Sequence, residues 1–235
     1  MLNRKHIIAG LIVAGLCPFA LAETTPTGAT ASPNIVVIVT DDLDAKLKTL
    51  DYTPKIRSLL ADQGTTFTKS FVNVSLCCPS RTSFFRGQYV HNHGVLTNTP
   101  PTGGFEKAFA TNVESATVAT ALQSTGYHTG FIGKYLNGYP NTAPETYIPP
   151  GWREWYGAIG GGGYQEFNYT LNENGTLVPY GNEPNDYLVD VMTRKAVDFI
   201  KREATPNKAP FFLYVAPFVP HAPATPAPRY ANLFP

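Results

Sequence analysis

Three apolar runs recur along this 235-residue chain, and each hands over to a polar group within a few positions of its end. Asn34-Ile35-Val36-Val37-Ile38-Val39 leads to Thr40-Asp41-Asp42, Thr129-Gly130-Phe131-Ile132 to Gly133-Lys134, and Phe211-Phe212-Leu213-Tyr214-Val215 to Pro220-His221. A continuous β-branched run such as 34–39 is what a strand buried on both faces of a parallel sheet requires. The segments between the runs carry helix signals. Pro54 follows Thr53 at a helix start, with Ile56, Leu59 and Leu60 on one face and Gly64 as the stop. Val118 and Leu122 precede Gly126 in a short helix, and Leu188, Val191, Ala196, Phe199 and Ile200 mark the clearest amphipathic helix, starting at Asn185 or Asp186. Such an alternation specifies an α/β fold, whose open sheets bind ligands beyond the carboxyl ends of their strands.

That rule makes each polar group a candidate. Asp41 and Asp42 offer an oxygen-rich pair for a hard divalent cation, or else a solvated turn. Lys134 is a cation at a strand edge, or an ordinary solvated charge. His221, held between prolines on a stiff backbone, suits a positioned acid or a hydrogen-bonded structural role. A fourth stretch, Leu76-Cys77-Cys78-Pro79-Ser80-Arg81-Thr82-Ser83, is predicted to open a helix that runs through Phe84 and Phe85 to Gly87, because Pro79 suits a first helical turn. Cys77 then stands at a helix N-terminus, which favours a negative centre; a buried thiol, half a disulfide and a metal ligand are the alternatives. His91 and His93 share a face if their backbone is extended, or cap and hydrogen-bond near the surface.

The remaining segments are read more simply. Residues 65–74 alternate weakly and are expected to return as a strand, while 97–112 form a Pro, Gly and Thr-rich loop at the pocket rim. Between 138 and 182 the chain is dense in Gly, Tyr, Asn and Pro, with a hairpin expected at Asn172-Glu173-Asn174-Gly175. Trp152, Trp155, Tyr156 and Tyr164 pack those loops or stack on a ring. Asn73, Asn168 and Asn174 each begin a glycosylation sequon.

Arg4, Lys5 and His6, an apolar stretch over 7–16, and Ala20-Leu21-Ala22 describe a signal peptide at 1–22, followed by a flexible leader at 23–33. The mature protein is therefore expected outside the cytoplasm: periplasmic or secreted, or lysosomal or extracellular in a eukaryote, with no integral membrane segment after cleavage. Past residue 22 the chain carries 16 Lys+Arg against 17 Asp+Glu, a balance that offers nothing to nucleic acid. Only Cys77 and Cys78 remain there, so no disulfide framework is expected.

The order Asp41-Asp42, Cys77-x-Pro79-Ser80-Arg81, Gly133-Lys134, Pro220-His221 resembles the type I, formylglycine-dependent sulfatases over roughly residues 33–235. His91-Asn92-His93-Gly94 and Gly133-Lys134-Tyr135-Leu136-Asn137 are similar to the N-acetylglucosamine-6-sulfatase and heparan endosulfatase branch. The resemblance implies an alkaline-phosphatase-like α/β fold with a mixed, mostly parallel sheet flanked by helices. It makes 34–235 the N-terminal portion of a catalytic domain whose C-terminal part is missing, with further metal ligands beyond residue 235, so that this chain alone binds calcium weakly and turns over slowly. It also implies that a maturation enzyme oxidises Cys77 to formylglycine, and that Asp41, Asp42 and residue 77 hold Ca2+ in preference to Mg2+. Arg81 would bind the aldehyde hydrate and Lys134 a sulfate oxygen. His221 would bind sulfate and protonate the leaving group, with His91 and His93 near the substrate. Leu136 stands where many members carry a His, which leaves His91 or His93 to restore the aldehyde. The implied substrate is an aryl or carbohydrate sulfate ester such as 6-O-sulfated glucosamine. A phosphate or phosphonate ester hydrolase and a non-catalytic binding fragment are the alternatives.

Overall fold

The computed structural model describes residues 32–44, 46 and 49–233. The expected signal peptide and all but the end of the leader lie outside the described residues. Six strands form one sheet: β1 (Ile35–Ile38), β2 (His128–Gly133), β3 (Glu154–Ile159), β4 (Tyr169–Glu173), β5 (Thr176–Tyr180) and β6 (Phe211–Ala216), in the order β1-β6-β2-β3-β4-β5. β1, β6, β2 and β3 run parallel, and β4 and β5 complete the sheet as an antiparallel hairpin. The hairpin turns at Asn174 (φ 53°) and Gly175 (φ 90°), the expected Asn-Gly pair.

Among the described residues six α-helices accompany the sheet: α1 (Pro54–Ile56), α2 (Cys77–Arg86), α3 (Val90–His93), α4 (Gly104–Ala110), α5 (Val118–Ser124) and α6 (Leu188–Glu203). β6 shows why the two sides cohere. Phe212 and Tyr214 enter one core with Phe85, Phe105, Phe131 and Trp155, whereas Phe211 and Leu213 enter the other with Leu188, Val191, Met192 and Phe199. The period of two along a strand splits one apolar run between two layers. Phe131 sits between Trp155 (ring centroids 4.3 Å apart) and Tyr214 (5.6 Å), so Trp155 is structural, as is the buried Trp152.

Several expectations change. β1 is not buried on both faces: among the described residues it lies at the edge of the sheet, paired with β6, with Val36 45% and Ile38 60% exposed. The apolar run specified a strand but not its position in the order. Residues 65–74 form no strand, and Phe67 and Phe71 stand exposed there. The helix expected from Asn185 or Asp186 begins at Leu188, after a short 3-10 turn over Pro184–Asp186. That after Pro54 becomes one α-turn continued by a π-type turn, Arg57–Ala61.

Two polar clusters brace the frame. His128 places one ring nitrogen 3.1 Å from Glu154 and the other 3.0 Å from Glu203, tying the starts of β2 and β3 to the end of α6. At the other end of α6, Glu166 accepts the Val189 N–H through Oε2 (3.1 Å), while its Oε1 has no partner. Burial pushes the Glu166 carboxyl up to about 7, against the lowering effect of the Val189 bond and with Asp190 adding to the rise. Because the folded state binds this proton more tightly than the unfolded chain, its stability falls as pH rises from the unfolded value of 4.5 through about 7. Glu166→Gln is therefore expected to raise Tm by an amount that grows between about pH 5 and about pH 8. A pH-independent change in thermal unfolding would contradict this.

Candidate active site

The parallel order sets the carboxyl ends of β1, β6 and β2 side by side, although the residues they deliver are numbered 41, 221 and 134. Backbone bonds hold those ends in register: the Val39 N–H donates to Val215 O (2.9 Å), Asp41 N–H to Val219 O (3.2 Å) and Lys134 N–H to Ala216 O (2.8 Å). Gly133 has φ +110°, and a Cβ there would lie 2.2 Å from the Ala216 carbonyl oxygen and 2.5 Å from Met192. Only glycine lets β2 pass so close and still deliver Lys134.

Asp41 is buried with both carboxylate oxygens engaged. Arg81 Nη2 donates to Oδ1 (3.1 Å) and Lys134 Nζ to Oδ2. Arg81 is fixed in turn by its Nη1, which donates to the Lys134 carbonyl at 2.9 Å. Burial alone would lower the Lys134 ammonium, but the bonds to Asp41 and Tyr164 leave it above its ordinary value. Asp42 adopts φ +59°, a left-handed conformation that Asp tolerates better than most residues and that recurs at functional sites. In extended backbone, consecutive side chains diverge; here Asp42 Oδ2 comes within 3.6 Å of His221 Nε2, beside Asp41. His221 Nδ1 lies 2.7 Å from the Ala222 carbonyl, which can only accept, so Nδ1 carries a proton and Nε2 faces Asp42.

Cys77 completes the cluster from α2. Leu76 is the N-cap and Gly87, at φ 59°, the C-cap, as the placement of Pro79 and Gly87 predicts. Ligand atoms of Asp41, Cys77 and His221 lie within 4.8 Å of one another. Asp41 and Cys77 border a cleft of about 380 Å³ lined also by Asp42, Ser75, Ser80 and Arg81. Cys78, one residue on, is fully buried, and burial pushes its thiol up to about 12. Of the two cysteines, Cys77 is the half-buried one at the cleft and Cys78 is packing.

His91 and His93 lie in the helical turn α3 rather than in extended backbone, so residues two apart point in different directions. His93 Nδ1 accepts the Val95 N–H (3.1 Å), which leaves the Nε2 proton to be donated to Ser83 Oγ (3.0 Å). Burial, then the charge of Arg86, lowers its pKa. His91 stacks on Tyr89. Among the described residues neither lines the cleft around Cys77.

Two further groups position the site: Asn98, which carries no sequence signal, and Tyr164, expected only as a packing or ring-stacking aromatic. Asn98 Oδ1, from the loop after α3, accepts the Cys78 N–H at 2.8 Å and so caps α2 from twenty residues away. Tyr164 lies 4.6 Å under Lys134 Nζ and 4.7 Å from the His221 ring, with Phe218 behind it. With Lys134, Asn137 and Phe218, it lines a second cavity of about 250 Å³.

The donors fit a hard divalent cation. Two carboxylates suit such an ion, and an oxygen at position 77 would suit it better than a thiolate, which softer metals prefer.

Known proteins resemble this chain over most of its length. The sulfatase family model matches residues 33–235. N-acetylglucosamine-6-sulfatase of Homo sapiens is 37% identical over 228 residues, covering 95% of this chain and 40% of the relative. The extracellular sulfatase SULF-1 homolog of Drosophila melanogaster is 38% identical over 204 residues, 86% of this chain and 18% of the relative. The chain thus spans between about a fifth and two fifths of these relatives. Among solved structures, BT4656 in complex with its substrate D-glucosamine-2-N,6-O-disulfate has a TM-score of 0.67 at 25% identity, covering 86% of this chain and 37% of that one. Ps i-CgsB in complex with k-i-k-neocarrahexaose has a TM-score of 0.68 at 29% identity, covering 86% and 48%. The mixed, mostly parallel sheet flanked by helices is the alkaline-phosphatase-like fold of these neighbours.

Proposed function

Because the chain belongs to the sulfatase family, we propose that its cleft hydrolyses sulfate esters, with residue 77 as the formylglycine and Asp41 and Asp42 as calcium ligands. The observation that carries this reading is the convergence of Asp41, Cys77 and His221 within 4.8 Å from three separate stretches of chain. When bound, calcium supplies a positive centre for a sulfate oxygen and for the hydroxyl at position 77. Asp41 and Asp42 hold it. Arg81, anchored on the Lys134 carbonyl, fixes the hydroxyl of residue 77, and Lys134 takes charge that spreads over the sulfate oxygens. His221, its Nδ1 proton committed to Ala222, presents Nε2 toward Asp42 beside Asp41 and Cys77, where it holds a proton for the departing alcohol. Tyr164 and Phe218 keep water from the flank of Lys134.

The substrate class follows from the relatives, which include N-acetylglucosamine-6-sulfatase and a protein solved with a disulfated glucosamine. We assign a carbohydrate sulfate ester, 6-O-sulfated glucosamine first, with simple aryl sulfates as surrogates. A maturation enzyme acts on Cys77, and the protein works outside the cytoplasm, as the relative named an extracellular sulfatase does. Among the described residues no helix is long and apolar enough to cross a membrane. A side-by-side assay with nitrophenyl sulfate and nitrophenyl phosphate tests the reaction. A preference for sulfate by at least about tenfold, or 1.4 kcal/mol, is expected, and a preference for phosphate would contradict the reading.

A further inference from the structure

Both oxygens of the Asp41 carboxylate are already engaged. Arg81 occupies one oxygen and Lys134 the other, and all three side chains are buried. A divalent cation on either oxygen would stand beside two buried positive charges, and the repulsion favours moving the one that is held less tightly. Arg81 is pinned by a second bond to the Lys134 carbonyl. Lys134 is held more loosely: beyond Asp41 its Nζ meets the Tyr164 side chain, with Phe218 farther off, and its four-carbon stem is flexible.

We propose that Lys134 is an internal counter-cation that holds Asp41 until a divalent cation takes that carboxylate, and that the released ammonium then binds the sulfate group. The inference rests on the reading of the cleft as a sulfate ester site. Its consequence is a coupling. With a divalent cation on Asp41 and no anion present, the displaced Lys134 would sit unpaired beside like charge in a buried place, which is unfavourable. A sulfate between the two removes that repulsion. Cation and anion therefore each raise the affinity of the other, and by the same factor.

The test is calorimetric titration of calcium chloride into the full chain and into Lys134→Gln, with and without inorganic sulfate, the pairing of calcium with sulfate in free solution being subtracted. In sulfate-free buffer Lys134→Gln is expected to bind calcium about tenfold more tightly than the wild type, because the competitor for Asp41 is gone. Sulfate should tighten calcium binding to the wild type several-fold and leave the variant unchanged. Lys134→Met, which keeps the apolar stem, guards against a folding defect, and the wild-type titration needs no substitution at all. Equal calcium affinity in wild type and variants, including none measurable in any, or a wild-type affinity indifferent to sulfate, overturns the coupling. Residue 77 remains a thiol in these titrations. The coupling can therefore fail while ester hydrolysis stands, and hydrolysis can fail while the coupling stands.

Discussion

Cys77→Ala is expected to remove sulfate ester hydrolysis, lowering kcat by on the order of 10^4-fold or more, because loss of a nucleophile leaves only binding and electrostatics to assist the reaction. The thermal midpoint should barely move. Cys77 is half-buried at the first position of α2, where alanine is a good helix former, and the helix end is held by Asn98 through Cys78 rather than by residue 77. Activity and stability therefore separate in this variant. Cys78→Ala provides the contrast: it removes a fully buried side chain from the core with Phe85 and Phe105, so it should cost stability while keeping the chemistry. Full activity in Cys77→Ala would place the nucleophile elsewhere.

Asp41→Ala should have the largest effect on the fold itself. It leaves Arg81 and Lys134 buried side by side with no counter-charge, and breaking such a cluster by removing one partner costs about 3–5 kcal/mol. At about 2–4 °C per kcal/mol for a chain of this size, the midpoint should fall by roughly 6–20 °C. Removing a cation as well should recover part of the loss, so Asp41→Ala with Lys134→Met is expected to be more stable than Asp41→Ala alone. Thermal unfolding of the three proteins checks this. A single variant within about 0.5 kcal/mol of wild type would mean that the pair is wetter and weaker than its burial implies.

How far the sequence foretells this site depends on the range of the interaction. The α2 boundaries were legible because Pro79 and Gly87 act locally, and the turn at Asn174-Gly175 for the same reason. The groups at the ends of β1, β2 and β6 were legible as strand-end residues, since an apolar run ending in a polar group is also a local pattern. Which strands become neighbours is not local. Nothing in the run at 34–39 shows that β1 takes the sheet edge, because the difference between an edge and a centre lies in what packs on it. Asn98 caps a helix twenty residues earlier in the chain, and Tyr164 reaches Lys134 from a glycine-rich excursion, so neither leaves a spacing to read. The turn at Val90–His93 decides between two local readings: His91 and His93 share a face only in extended backbone, and Gly94, at φ 72°, closes a single helical turn instead.

The mass of the peptide bearing residue 77, from protein expressed together with a formylglycine-generating enzyme, tests the central claim most directly. The expected result is the aldehyde or its hydrate at Cys77 with Cys78 still a thiol, in protein that hydrolyses nitrophenyl sulfate. An unmodified thiol at Cys77 in protein that hydrolyses the ester equally well would contradict it.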